Sequence, residues 1–427
     1  MIQGNQVKKF ILVLGDIFLL YLSLLITLTI RDFSLPTPEI WKIHLLPFSI
    51  ISVLWLLIFY IAGFYDTEKK PLFYLSEIFL AMISGGAISV FLFYLFPFFG
   101  ITPKTNLIID VLIASFLIWG WRNLFGKLLI KAKKNKVLFL GESKEKDILI
   151  DYINNKPQLA YEVIKKITLA DIIVISKEVK QNQKLVQFLY QMLLSGKTVI
   201  DFDKFYEYLT GKIPISTIGE SWFLENLVEI NKQTFEKFKR VFDIIISLLF
   251  FISFIILYPL VALLIKIDSK GPVFYRQKRV GKNGEIFELV KFRSMIFSPF
   301  SEEGGWQKPD ENNNYVTFIG NLIRKTRIDE LPQIWNVLKG NLSFIGPRPE
   351  RPEFVKELVK EIPHYSMRHI VKPGLTGWSQ INFSDASAKD ALEKLQYDLY
   401  YVKNRSPLLD TIIFLKTIMV VLQTSGK

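Results

Sequence analysis

Hydrophobic positions cluster into four long runs at the start of the chain, approximately 10–30, 43–64, 76–99 and 107–129. As a helix, each is long enough to cross about 30 Å of hydrocarbon. Polar positions between them are uneven. Lys8 and Lys9 precede the first run, Lys69 and Lys70 separate the second from the third, and Lys127, Lys131, Lys133, Lys134 and Lys136 surround the end of the fourth. The other two connections carry little beyond Arg31 and Lys104. Lysine and arginine are retained on the cytoplasmic side, so the N-terminus and everything after run four are expected there. Run one is too long for a signal peptide and lacks a small-residue cleavage site, which predicts an uncleaved anchor. Asp16 and Asp110 interrupt apolar runs. An intramembrane acid is a functional candidate by default, but a place near a helix end or in the bundle interior is the simpler reading here.

The pattern then changes period. Lys136-Val-Leu-Phe-Leu-Gly141 reads as a buried strand, 144–154 as a helix, 171–175 as a strand, 184–194 as a helix and 198–201 as a strand. Alternating strands and helices over 135–230 predict a Rossmann-like α/β domain with a parallel sheet. A dinucleotide needs several glycines after the first strand. The turn Gly141-Glu-Ser-Lys-Glu-Lys146 has only the first, and Glu142 would repel phosphate, so no dinucleotide is expected.

A fifth apolar run, 241–267, has Lys232, Lys237, Lys239 and Arg240 before it and Lys266, Lys270, Arg276, Lys278 and Arg279 after it. Positive charge at both ends favours both ends in the cytoplasm. Pro259 removes one backbone donor inside the run. Together these predict a re-entrant helix–break–helix rather than a span. Near the C-terminus, 408–422 is apolar but short, as in an interfacial helix.

Composition narrows the chemistry. Half the 427 residues are hydrophobic and the formal charge is +13. A basic excess on a membrane protein faces anionic lipid or anionic substrates, and no nucleic-acid motif accompanies it. The chain has no cysteine, which excludes disulfides, thiolate metal sites and cysteine nucleophiles. Its three histidines are His44, His364 and His369, so a metal would be held by oxygen ligands.

The densest chemistry lies in 231–427. In Thr326-Arg-Ile-Asp-Glu-Leu-Pro-Gln333, Pro332 suits the first turn of a helix that Gly340 would end. Asp329 and Glu330 then sit just before a helix N-terminus, where anions are stabilised and both carboxylates should stay ionised. One suits a nucleophile and the other a hard cation such as Mg²⁺. Gly346-Pro-Arg-Pro349 restricts the backbone around Arg348, which suits bidentate phosphate binding. Further cations are Arg276 and Lys278 in the basic turn Tyr275-Arg-Gln-Lys-Arg-Val-Gly281, Lys291 and Arg293 in Lys291-Phe-Arg-Ser-Met295 on an expected strand, and Arg368 and Lys372 beside the glycine-punctuated loop Val371-Lys-Pro-Gly-Leu-Thr-Gly377. A pyrophosphate substrate with a phosphate acceptor requires such a group.

From Lys239 to the C-terminus these motifs, in this order and spacing, resemble the bacterial sugar transferases, the polyprenyl-phosphate phosphoglycosyl transferases with a single catalytic membrane segment. The four leading helices and the degenerate Rossmann-like domain resemble the family's long form. The resemblance implies three domains: a four-transmembrane-helix domain (1–134), an α/β domain (135–230) and a mostly helical catalytic domain with the re-entrant helix (231–427). It implies ping-pong transfer of a sugar-1-phosphate from a UDP-sugar to polyprenyl (undecaprenyl) phosphate, with UMP released. Asp329 would be the nucleophile, Glu330 would help bind Mg²⁺, and Arg348, Arg327 and Arg368 would bind phosphate. The enzyme would act at the cytoplasmic face of the bacterial inner membrane, with 135–230 serving dimerisation, as in a homodimer, or regulation. Many relatives have Asp-Pro-Arg where this chain has Asn313-Asn314-Tyr315. Two other readings compete. A membrane-anchored nucleotide-sugar dehydratase or epimerase would need NAD and the complete glycine loop. A non-enzymatic scaffold for polysaccharide assembly would have no use for an intact Asp329–Glu330 pair beside Arg348.

Overall fold

A computed structural model describes residues 2–65, 73–95, 104–131, 134–227, 232–296, 316–383 and 390–424. Asn313-Asn314-Tyr315 lies outside the described residues. The chain forms two compact units, Met1–Phe202 and Asp203–Lys427.

In the first unit each leading apolar run forms a helix: α1 (Ile2–Asp32), α2 (Pro38–Ile61), α3 (Leu75–Leu95) and α4 (Lys104–Lys131). Thr37 caps α2, with Pro38 at the first helical position, where a missing donor costs nothing. Neighbours pack in the cycle α1–α2–α3–α4–α1 around Leu20, Leu24, Trp55, Phe59, Met82 and Ile118. Among the described residues, the helices long and apolar enough to cross a membrane are Lys9–Asp32, Pro38–Ile61, Thr105–Leu128 and, in the second unit, Gln233–Asp268; Leu75–Val90 is shorter. Both intramembrane acids face the bundle interior. Asp16 pairs with Arg122 and accepts from the Tyr65 hydroxyl at 2.8 Å. Arg122 also donates to the Phe64 carbonyl at 2.7 Å, under the rings of Phe59, Phe64, Tyr65 and Phe73. Asp110 accepts from the Ser23 hydroxyl at 2.6 Å. A buried charge requires such partners, because desolvation otherwise outweighs any gain.

After α4 come β1 (Asn135–Leu140), α5 (Lys146–Asn154), β2 (Tyr161–Val163), β3 (Ile172–Ile175), α6 (Lys177–Gln181), α7 (Gln183–Leu194) and β4 (Thr198–Asp201). The strands make one parallel sheet in the order β2-β1-β3-β4. Strand β3 is apolar throughout because it is buried on both faces. Gly141 ends β1 with φ +88°, and a Cβ there would lie 2.0 Å from the Ser176 hydroxyl.

The second unit begins within α8 (Phe202–Thr210) and continues through α9 (Glu220–Asn226), α10 (Gln233–Asp268), β5 (Phe274–Val280), β6 (Ile286–Phe292), α11 (Phe318–Lys325), α12 (Ile334–Lys339), β7 (Ser343–Ile345), α13 (Pro352–Glu361), β8 (Gly374–Thr376), α14 (Trp378–Asn382), α15 (Ala391–Asn404) and α16 (Pro407–Thr424). Residues 203–226 pack here. Ile213, Ile215, Ile218, Trp222 and Phe223 share a core with Tyr365, Leu395 and Leu399, reinforced by Lys212–Glu393 and Lys403–Glu207 pairs at 2.6 Å.

The helix–break–helix expected at Pro259 is absent: α10 runs unbroken for 36 residues with Pro259 inside it. Proline removes a single donor, and packing along one stripe keeps the helix continuous. Lys239, Asp243, Ser247, Val261 and Ile265 are buried at helical spacing, while Leu248, Leu249, Ile252, Ile256 and Leu263 are exposed. Near its start, Lys239 pairs with Asp410 at 2.5 Å, and Asp243 accepts from the Ser343 hydroxyl and the Phe344 amide, both at 3.0 Å. Near its end, Val261 and Ile265 pack with Phe292 and Ile323. Both ends of α10 are therefore fastened to the same unit.

Candidate active site

Two local structures build the site. The first is the antiparallel hairpin β5–β6, in which Lys291 stands opposite Tyr275 and Arg279 opposite Phe287. The second is a tight 3₁₀ turn, Ile328–Gln333, which leads directly into α12. Asp329 and Glu330 lie within that turn, four to five residues ahead of the start of α12 at Ile334. Arg327 enters it with φ +58°, a left-handed conformation that redirects the chain after α11. Gly340, at φ +90°, closes α12. Its last carbonyls are taken by Arg240, which donates to Val337 and Leu338 at 2.6 Å.

The turn packs against β6 and brings Glu330 between two cations. Its Oε1 accepts from Lys291 Nζ at 3.4 Å and from Arg348 Nη2 at 3.2 Å. Asp329 is 8% exposed, and its Oδ1 has no hydrogen-bond partner among the described residues. The environments push the two carboxyls apart. Burial raises Glu330, but Arg348, Lys291 and Arg327 overcome it and hold it at about 2. Burial raises Asp329, the Glu330 charge raises it further, and Lys291, Arg324 and Arg327 only partly offset this. Lys291 is pushed down by burial, with Glu330 pulling the other way. Divergent pKa values in one pair are what a division of chemical roles requires.

Arg348 is held from behind. The Gly346 amide donates to the Thr376 carbonyl at 2.8 Å and the Gly374 amide to the Pro347 carbonyl at 2.9 Å. The Arg348 carbonyl accepts from Arg368 at 2.9 Å, and the Pro349 carbonyl from Arg279 at 3.0 Å. A Cβ on Gly374 would come within 2.1 Å of the Gly346 nitrogen, so the two loops touch backbone to backbone. In front lies a small crevice lined by Arg279, Lys291, Gln333, Arg348, Gly374 and Leu375.

Other cations read from the sequence fall elsewhere. Arg293 is buried and donates to the carbonyls of Ile265, Ser269 and Lys270, ending α10. Arg368 is buried against Asp398 at 2.7 Å and the Tyr365 hydroxyl at 2.5 Å. Neither guanidinium faces the crevice as a phosphate ligand, because protein acceptors already occupy it. Arg276 and Lys278 are exposed on β5, Arg276 3.6 Å from Glu288. Lys372 is turned toward Gly340 and Arg240. Burial and the Arg240 charge lower its pKa. Arg327 is exposed beside the turn. The structure thus gathers Asp329, Glu330, Lys291 and Arg348, with Arg327 at the rim.

The family model described as bacterial sugar transferase matches residues 234–424. An exopolysaccharide production protein PSS from Rhizobium leguminosarum bv. phaseoli is 40% identical over 202 residues, covering 44% of this chain and 96% of the relative. This chain belongs to the bacterial sugar transferase family. The UDP-N-acetylgalactosamine-undecaprenyl-phosphate N-acetylgalactosaminephosphotransferase of Aeromonas hydrophila is 42% identical over 241 residues, covering 56% of each chain. An undecaprenyl-phosphate glucose phosphotransferase of Komagataeibacter xylinus is 40% identical over 189 residues, 42% of this chain and 35% of the relative. The chain therefore spans about half or less of the length of these two relatives.

In this sugar transferase the matched segment contains every residue gathered at the site. Two neighbours escaped the sequence reading. Arg279 lines the crevice beside Gln277, whose Oε1 accepts from it at 2.7 Å. Strand alternation was the available signal, since 277 and 279 share the face opposite Arg276 and Lys278. Gln333 is buried with an unpartnered Nε2 among the described residues, and nothing in the sequence set it apart from a helix-start residue.

Proposed function

We propose that this protein transfers a sugar-1-phosphate from a UDP-sugar to undecaprenyl phosphate and releases UMP, at the cytoplasmic face of the bacterial inner membrane. The product would begin membrane-bound assembly of an exopolysaccharide, capsule, O-antigen or glycoprotein glycan. The observation that carries this reading is the buried Asp329 beside a Glu330 held ionised by Lys291 and Arg348. The relatives' names point to the same reaction class.

In the first half-reaction an Asp329 carboxylate oxygen attacks the β-phosphorus of the UDP-sugar. The bond from that phosphorus to the bridging oxygen breaks, and UMP leaves with the electron pair. In the second, an oxygen of undecaprenyl phosphate attacks the same phosphorus, the aspartyl–phosphorus bond breaks and Asp329 returns as a carboxylate. Lys291 and Arg348 stabilise charge on the phosphoryl oxygens, while the clamped backbone around Arg348 limits its freedom. Mg²⁺ is the proposed cofactor. The unpartnered Asp329 Oδ1 and the ionised Glu330 offer hard oxygen donors. The described residues hold no group of three or more His, Cys, Asp or Glu suited to a metal, so water and substrate phosphates would complete the shell, as is common for this ion. When bound, it would neutralise pyrophosphate charge.

We read α10 as seated in one leaflet rather than crossing, because both its ends pack on one unit and its outer face is apolar. The parallel sheet of the first unit is read as a Rossmann-like fold that binds no dinucleotide. The deciding assay measures UMP release and label transfer to undecaprenyl phosphate from a panel of radiolabelled UDP-sugars. Asp329→Asn and Glu330→Gln are expected to abolish transfer, and only wild type should yield a phosphosugar adduct on Asp329 in the absence of acceptor. Wild-type rates in both variants would remove the pair from the mechanism.

A further inference from the structure

One end of the α/β sheet of the first unit is tethered directly to α4, a helix long and apolar enough to cross a membrane. Strand β1 starts at Asn135 and α4 ends at Lys131, so only 132–134 intervene. That link reaches at most about 14 Å, which holds the start of the sheet close to where the α4 span ends. Parallel pairing brings the starts of the other strands to the same level: Asn135 is in register with Tyr161, and Val137 with Ile172, which in turn pairs with Thr198. The turn at Pro157–Leu159, just before β2, approaches α4 itself.

The segments leading into these strands carry exposed lysines, Lys134, Lys165 and Lys166. They also carry exposed leucines: Leu169 is 52% exposed, Leu193 50% and Leu194 66%. Lys197 stiffens this end by donating to the carbonyls of Ile167, Thr168 and Ala170 at 2.8–3.1 Å. At the opposite end, Lys146 pairs with Glu142 at 3.0 Å and Lys180 with Asp201 at 2.7 Å. Exposed leucines among lysines, tethered within a few residues of a membrane span, have the chemistry of a lipid-binding face.

We propose that this end of the sheet docks on the anionic leaflet where α4 ends, with Leu169, Leu193 and Leu194 entering the headgroup region and Lys134, Lys165 and Lys166 contacting lipid phosphates. The docking fixes the α/β domain against the membrane. It is independent of the transfer reaction proposed above.

Because the chain lacks cysteine, single thiols can be labelled uniquely. Full-length Leu194→Cys, Leu169→Cys and, at the far end, Glu178→Cys variants would carry an environment-sensitive fluorophore in nanodiscs of phosphatidylglycerol and phosphatidylcholine, with nitroxide lipid as quencher. Labels at 194 and 169 should be quenched at least about twofold more than the label at 178. Adding Lys165→Gln or Lys166→Gln should weaken docking about fivefold each in anionic discs, with little change in discs of phosphatidylcholine alone. Equal quenching at the three positions would overturn the proposal. So would shielding of 194 that follows the number of protein copies per disc rather than lipid charge, which would make this face a contact between copies.

Discussion

Replacing Glu330 with glutamine isolates the electrostatics on which the site depends. The carboxyl is held at about 2 against an ordinary 4.5, a gap equivalent to about 3 kcal/mol of linked stability. Arg348 leaves 44% of its side chain exposed, so water screens part of the attraction and about 2 kcal/mol is the expected effect. The sign follows from the depressed folded-state value. The contribution is fully present above pH 4.5 and is lost as pH falls from 4.5 through about 2. Glu330→Gln should therefore destabilise the second unit by about 2 kcal/mol at pH 7, a melting shift of roughly 4–8 °C for a unit of this size. The difference should shrink below pH 4.5, because a protonated glutamic acid resembles glutamine. Thermal unfolding in detergent, followed by tryptophan fluorescence from pH 3 to 7.5, provides the measurement. A shift that is the same at both ends of that range would mean the substitution acts through packing. No shift at pH 7 would refute the pairing with Lys291 and Arg348.

Three other outcomes follow from the geometry. The acid limb of kcat/KM should titrate above the ordinary aspartate value of 3.8, since burial and Glu330 raise Asp329; Lys291→Met should move it higher still, because Lys291 lowers that pKa, and steady-state rates against pH would show both. Arg368→Met leaves Asp398 buried without its cation and should cost about 3 kcal/mol, with Arg368→Met/Asp398→Leu regaining part of it in a double-mutant cycle. Gly374→Ala places a Cβ 2.1 Å from the Gly346 nitrogen and should lower stability by about 2–3 kcal/mol, read from denaturant unfolding, while reducing transfer activity by displacing Arg348.

Hydrophobic period alone located the helices α1 to α4 and the strands β1, β3 and β4, because burial is written directly into composition at those positions. The three-residue strand β2 had no such pattern and exists through pairing with β1. The Asp329–Glu330 pair and the Arg348 loop were legible as motifs, since proline, glycine and charge act locally. Arg293 and Arg368 looked like further phosphate ligands because a sequence shows a charge but not its partner. Their carbonyl and carboxylate acceptors lie far along the chain, at Ile265–Lys270 and Asp398. Pro259 likewise announced a break, yet contacts along α10 keep that helix continuous. Sequence by itself determined which segments are apolar and which residues carry charge. Tertiary structure decided which charges are already spent on the protein, because the partners that neutralise them come together only when distant segments fold into contact.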